Sequence, residues 1–125
     1  MKDSLCLVTG GFDPIHQGHV EYIKSAKKIS SYLVIGLNSD DWLLRKKNYV
    51  FMSWKQRAEV LKSISYVDEV ISFDDSDDSA YDAINICLKK SQKVIFANGG
   101  DRNKKNIPEL ELFKNNNNCL LYTSD

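Results

Sequence analysis

At 125 residues, with 17 lysines and arginines against 17 aspartates and glutamates, the chain has the length of one ordinary domain and no formal net charge. That balance excludes a broad field able to draw in nucleic acid or an anionic membrane, so any anion must be held by local placement. Cys6, Cys87 and Cys119 lie far apart in apolar stretches and cannot all pair within one chain, and no run has the length to span a bilayer; a soluble protein of a reducing cytoplasm is expected.

In chain order, the first element is a strand from Leu5 to Thr9, rich in aliphatic residues. The stretch TGGFDPIHQGH, Thr9 to His19, leaves it and enters a helix on which Val20, Ile23 and Ala26 keep helical spacing. Gly10 and Gly11 admit positive φ and let a ligand approach the main chain. Gln17, Gly18, His19 and Val20 open the helix, whose free amides and positive dipole end favour an anion such as phosphate. His16 and His19 are three apart, so on a helical turn their side chains point the same way with Cβ atoms about 5 to 6 Å apart. A capping histidine and turn glycines are the plainer readings, but neither accounts for the whole string. Zinc held by the histidines and Asp13 is disfavoured, because a third ligand would have to come from a loop and no cysteine is near.

A second strand runs from Tyr32 to Leu37, followed by Asn38 to Asp40 and the basic run Arg45, Lys46, Lys47. A helix begins at Ser53, where Gln56 three residues on completes a reciprocal cap, and Trp54, Ala58 and Leu61 form its apolar face. A third strand, Glu69 to Phe73, leads into the acidic stretch Asp74 to Asp82. Its aspartates Asp74, Asp75, Asp77 and Asp78 lack the glycine and terminal glutamate of a calcium loop, so a solvated loop is expected. Ala80, Ile84, Cys87 and Leu88 mark another helix, Lys93 to Ala97 a fourth strand, Asn115 to Asn118 a polar loop, and Cys119 to Tyr122 a fifth strand.

The strands lack clean alternation, as expected where both faces are covered. Alternating strands and helices predict an α/β fold, a Rossmann-like open parallel sheet of about five strands with helices on both faces. Ligands of such sheets gather at the carboxyl ends of the strands. With neither an internal repeat nor a linker, residues 1–125 read as a single domain.

Gly10, Phe12, Asp13, His16, Gly18 and His19, placed directly after a strand, resemble the signature of the cytidylyltransferase-like nucleotidyltransferases: glycine, any residue, phenylalanine, aspartate, then HxGH. The resemblance continues in Asn38 to Asp40, in Arg57, in Tyr66 to Val70 (YVDEV), and in Gly99, Gly100 and Asp101. It is closest in look to heptose-phosphate adenylyltransferases and glycerol-phosphate cytidylyltransferases. The latter carry arginine where this chain has Ser65 and read GDD where it has Gly99, Gly100 and Asp101, which tips the base slightly towards ATP over CTP.

The resemblance implies the nucleotidyltransferase fold and transfer of AMP or CMP from ATP or CTP to a small phosphorylated acceptor, a sugar phosphate or phospho-alcohol, with release of pyrophosphate. Mg2+ would arrive on the triphosphate, with no direct side-chain metal ligand. Neither nucleic acid nor membrane is an expected partner, and a homodimer is. His16, His19 and Lys46 are the implied catalytic residues, with Arg45 or Lys47 as alternatives to Lys46 and a plain solvated charge run as the other reading. Thr9, Gly10, Gly11, Phe12, Asp13, Gly18, Arg57, Gly99, Gly100 and Asp101 are the implied nucleotide-binding residues. Asp13 would organise the glycine loop through nearby amides or help place magnesium. Arg57 would contact phosphate or stay hydrated, and Asp101 would lie near base and ribose or cap a turn. Family members continue past the last strand into a serine and threonine run that opens another helix. Here the sequence reads Leu121, Tyr122, Thr123, Ser124, Asp125, so that helix and second signature are expected to be missing. A nucleotide-binding module with little turnover is the alternative this raises, and a dinucleotide oxidoreductase is disfavoured by the absence of GxGxxG spacing.

Overall fold

The structure, a computed structural model, describes residues 3–98 and 118–123. Strands β1 (Leu5–Gly10), β2 (Leu33–Leu37), β3 (Glu69–Ile71), β4 (Val94–Asn98) and β5 (Cys119–Thr123) form one sheet in the order β3-β2-β1-β4-β5, with every pairing parallel. All five coincide with the predicted runs to within two residues at either end. Helices α1 (Gln17–Lys27), α2 (Asp40–Lys47), α3 (Trp54–Lys62) and α4 (Tyr81–Leu88) supply the crossovers and flanks.

Successive residues of β1 point to opposite faces, and both faces are covered. Leu5 and Leu7 join Val34, Phe96 and the α4 residues Ala83, Ile84 and Cys87 in one core, whereas Cys6 and Val8 join Leu33, Ile35, the α1 residues Ile23 and Ala26, and Ala58 and Leu61 of α3 in the other. This two-sided burial is why the strands read as continuous apolar runs. Each fully buried aliphatic side chain contributes about 1.5–3 kcal/mol of transfer free energy, so the two layers, more than any cap, stabilise the domain.

The chain also forms a helix that apolar spacing does not predict. Only Leu43 of α2 is buried, which leaves no period to read, yet Ser39 caps it by accepting from the Trp42 amide at 3.1 Å. Asp40 and Asp41 in its first turn and Arg45, Lys46 and Lys47 in its last complement the helix dipole at both ends. Lys46 therefore sits on the last turn of a helix.

At the carboxyl edge of the sheet, carbonyls that run past the ladder are met by side-chain donors. The Trp54 indole donates to the Leu37 carbonyl at 3.0 Å and the Tyr22 hydroxyl to the Ala97 carbonyl at 2.9 Å. The chain order reverses direction on either side of β1, so the crevice beyond the carboxyl ends of β1 and β4 is the place where this topology leaves room for a ligand.

Candidate active site

His16 is the N-cap residue of α1, with extended backbone at φ −144°, and His19 is the third residue of the helix. The Nδ1 of His16 accepts from the Gly18 amide at 3.1 Å, and the Nδ1 of His19 accepts from the His16 amide at 3.2 Å. This is a capping box built from two imidazoles. It stacks the rings with centroids 3.8 Å apart and planes 24° from parallel. The edge of the Phe12 ring, itself in the core, meets His19 at 4.9 Å and 64° and fixes its other side.

The hydrogen bonds also set the chemistry of the rings. An Nδ1 that accepts cannot carry the proton, so the network assigns the Nε2–H tautomer to both neutral imidazoles. Neither Nε2 has a protein partner among the described residues. Burial first, and the neighbouring His16 second, hold the His19 pKa below its ordinary 6.5, so this ring is neutral near pH 7. The first turn of α1 has no acidic residue to offset its dipole, in contrast to α2 with Asp40 and Asp41. Two Nε2–H donors on stacked rings at a helix N-terminus with no acidic residue in its first turn are suited to the oxygens of a phosphate.

Gly18, expected among the nucleotide-binding residues, has a reason within the turn itself. A Cβ there would stand 2.9 Å from Cε1 and 3.1 Å from Nδ1 of His16, so the glycine is what lets the imidazole fold back onto the helix amide. At the glycines after β1 the expectation of positive φ is corrected. The positive φ, 49°, falls on Phe12, whereas Gly10 and Gly11 answer a need for space. A Cβ on Gly10 would meet the Phe12 ring at 3.0 Å, and one on Gly11 would meet Leu43 at 2.8 Å and Trp42 at 3.2 Å. One flank of Gly11 is thus occupied by α2.

Asp13, expected to organise the glycine loop through nearby amides or to help place magnesium, reaches across to the segment between α2 and α3. It accepts from the Phe51 amide at 2.7 Å and the Met52 amide at 2.6 Å and pairs with Lys47 at 2.9 Å. Burial opposes its ionisation, but the Phe51 amide, Lys47 and the Met52 amide together outweigh it and hold the carboxyl below the usual value. The carboxylate has no exposed surface, so it organises the site without facing a ligand. The Asp13–Pro14 peptide is cis.

Arg57, expected to contact phosphate or remain hydrated, does neither in this structure, since its guanidinium is fully buried. It donates to the carbonyls of Met52 at 2.9 Å, Gly11 at 2.8 Å and Asn38 at 2.8 Å and to the Asp40 carboxylate at 2.6 Å, which uses four of its five N–H groups. It binds together the glycine loop, the end of β2, the start of α2 and the approach to α3.

The basic run is divided by its partners. Arg45 holds Asp78 and the Asp75 carbonyl, Lys47 holds Asp13 and lies over the Tyr49 ring, and Lys46 is exposed with its ammonium 5.7 Å from the centre of the Trp42 ring. No ion pair engages Lys46 among the described residues.

Thr9 lies on the other face of the sheet from Phe12 and the histidines, its methyl near Gly36 beside Phe73 and Ala83. With Asn38, Trp42, Phe73, Asp78 and Ser79 it lines a cleft of about 40 Å³ between α2 and the acidic loop. Trp42 and Ser79 were not singled out from sequence, Asn38 was read only as part of the resemblance and Asp78 only as part of the acidic loop. The usable signal was position, since Asn38 directly follows the carboxyl end of β2. The acidic loop is less solvated than expected: Asp75 is buried and accepts from the Asn38 side chain and from the Ser39 amide and hydroxyl. Gly99, Gly100 and Asp101 lie outside the described residues.

The family model described as cytidylyltransferase-like matches residues 7–118. A glycerol-3-phosphate cytidylyltransferase of Bacillus subtilis (strain 168) is 39% identical over 62 residues, which cover 50% of this chain and 48% of that protein. The bifunctional protein HldE of Helicobacter pylori (strain HPAG1) is 32% identical over 115 residues, 90% of this chain and 24% of the longer protein. The bifunctional protein HldE of Campylobacter fetus subsp. fetus (strain 82-40) is 33% identical over 106 residues, 83% of this chain and 22% of the longer protein. The matched part thus spans about half of the first relative and about a quarter or less of the other two. The crystal structure of a lipopolysaccharide core biosynthesis protein from Thermoplasma volcanium GSS1 shares the fold, with a TM-score of 0.76 over 97% of this chain and 95% of that one at 22% identity.

Proposed function

The chain belongs to the cytidylyltransferase-like family, and from that premise we propose that it transfers the nucleoside monophosphate of ATP or CTP to a small phosphorylated alcohol or sugar, releasing pyrophosphate. A phosphorylated acceptor is supported by the name of the Bacillus subtilis relative. The observation that carries the proposal is the stacked imidazole pair, with both Nδ1 atoms spent on helix amides and both Nε2–H groups left for a ligand.

In this reading an oxygen of the acceptor's phosphate forms the new bond to the α-phosphorus while the bond from that phosphorus to the bridging oxygen breaks and pyrophosphate departs. A phosphate monoester is already anionic near neutral pH, so the step needs neither a strong general base nor a covalent nucleophile. The chain contributes alignment and charge stabilisation. His16 and His19 donate to oxygens of the α-phosphate, and the α1 dipole favours the negative charge that gathers there. Lys46, free of carboxylate partners among the described residues, is placed beside Trp42 to approach the acceptor or nucleotide phosphates. Thr9 and Asn38, at the ends of neighbouring strands, line a cleft on the face of the sheet opposite the histidines.

Magnesium fits this site as an ion carried by the triphosphate. Among the described residues no three histidine, cysteine, aspartate or glutamate side chains come together as a cage, and an ion shared with substrate phosphates needs none. When bound, it would offset charge on the departing phosphates.

The test is pyrophosphate release from each nucleoside triphosphate with a panel of phosphorylated acceptors. His19→Ala is expected to lower kcat by about 10² to 10³, the loss that follows removal of one placed donor. Release that is unchanged in this variant would contradict the role of the pair. Nucleotide binding with no release in any pairing would favour the alternative, a binding module with little turnover.

A further inference from the structure

We propose that Trp42 positions Lys46: the indole ring holds the ammonium beside the glycine loop, charged and with its N–H groups free to meet a ligand phosphate. That a phosphate arrives there rests on the transfer reaction above; the part given to Trp42 comes from the packing of α2.

Trp42 is fixed independently of Lys46. It stands in the first turn of α2, where its amide donates to the Ser39 hydroxyl at 3.1 Å, and its chain neighbour Leu43 is buried. Its ring lies against the glycine loop, so close that a Cβ on Gly11 would meet Cζ3 at 3.2 Å. Trp54 spends its indole N–H on the Leu37 carbonyl, whereas the indole of Trp42 donates to no group among the described residues. What half-buried Trp42 offers its neighbour on the helix is therefore the ring itself.

Lys46 follows Trp42 by four positions, and helical side chains lean towards the N-terminus, so its stem runs back over the ring. The ammonium stands 5.7 Å from the ring centre, within the range at which an aromatic face attracts a cation. The two adjacent cations show the alternative. Arg45 is on Asp78 and Lys47 on Asp13, each with a carboxylate that offsets its charge and takes its N–H groups. A ring does neither, because it draws the ammonium without neutralising it and leaves its donors outward. Lys46 thus gives up part of its side-chain freedom before a ligand arrives, and less ordering remains to oppose binding. Since the same ring touches Gly11, the ammonium is held beside the loop that leads from β1 to His16.

The experiment is a double-mutant cycle on the full chain. Calorimetric binding of ATP, CTP and glycerol 3-phosphate is compared for the unaltered protein, Trp42→Leu, Lys46→Ala and the two together, with pyrophosphate release followed separately on the same preparations. Trp42→Leu is expected to weaken binding of at least one of these phosphates about two- to fivefold, the equivalent of one exposed cation–π contact, and Trp42→Phe to recover most of the loss. In the Lys46→Ala background the same change should have no effect, because the lysine through which the ring acts is gone. The ligand that shows this coupling identifies the phosphate that Lys46 meets. Equal losses with and without Lys46 would overturn the proposal and leave Trp42 a packing residue, as would unchanged binding in Trp42→Leu. A reading that needs no Trp42 variant to fold comes from proton NMR of the unaltered chain, where the ring current should move the ε-methylene of Lys46 upfield of the other lysines. An ordinary position for that signal would also overturn the proposal. Coupling without pyrophosphate release would count against the transfer reaction and uphold this inference; release without coupling would do the reverse. No binding of any of the three ligands would overturn both.

Discussion

The histidine turn and the α2 wall flank the same strand ends, yet they are held by different means. The turn fastens itself, with bonds between residues two and three apart and a glycine that makes room for the ring it supports. The wall is fastened from a distance. Arg57 reaches Gly11 across 46 positions, Asp13 reaches Phe51 and Met52 across 38 and 39, and Asp75 reaches Asn38 and Ser39 across 37 and 36. The difference is one of range: the turn orients its two imidazoles from within, and the wall is held by residues that the sheet brings together.

The sharpest way to break this division is at Arg57. Arg57→Ala leaves three main-chain carbonyls and Asp40 without their donor, and unfolding stability should fall by about 3–5 kcal/mol, read as a lower urea midpoint. Arg57→Lys should recover only part, because an ammonium cannot span the same acceptors. A loss below about 1 kcal/mol would show that the wall does not depend on this residue.

Gly18→Ala sharpens the comparison from the other side. The added Cβ pushes the His16 ring from its cap, a loss of about 1 kcal/mol, but alanine regains about as much over glycine inside a helix. Stability should therefore hardly move, while turnover falls by about a hundredfold because one donor is misaimed. Thermal melts and kinetics on one preparation check both, and a stable variant with full activity would separate the cap from the chemistry.

The same contrast explains what could be read from sequence. The imidazole pair, the Ser53 and Gln56 cap and the five strands are local patterns, and each is visible in a window of a few residues. The caps of α2 were equally local, but its single buried residue gave no apolar period against which to recognise them. Arg57, by contrast, has the composition of an exposed helix residue and becomes a buried organiser only because Gly11 and Asn38 are brought to it by the sheet. Nothing nearby distinguishes Asp75 from Asp74, Asp77 and Asp78, and the choice is made by Asn38 and Ser39 on another strand end. Gly11 is small for a similar reason, since Leu43 arrives from α2.

The chain contains two histidines, so imidazole nitrogen NMR reports on this pair without interference. On protein labelled with nitrogen-15, the account predicts unprotonated Nδ1 and protonated Nε2 on both rings at pH 7.5, and a His19 that takes up its second proton below the ordinary 6.5. Both Nε2 signals should shift when a nucleoside triphosphate is added. An Nδ1–H tautomer on either ring, or a triphosphate that binds while both Nε2 signals stay in place, would contradict the claim that the paired imidazoles meet the phosphate.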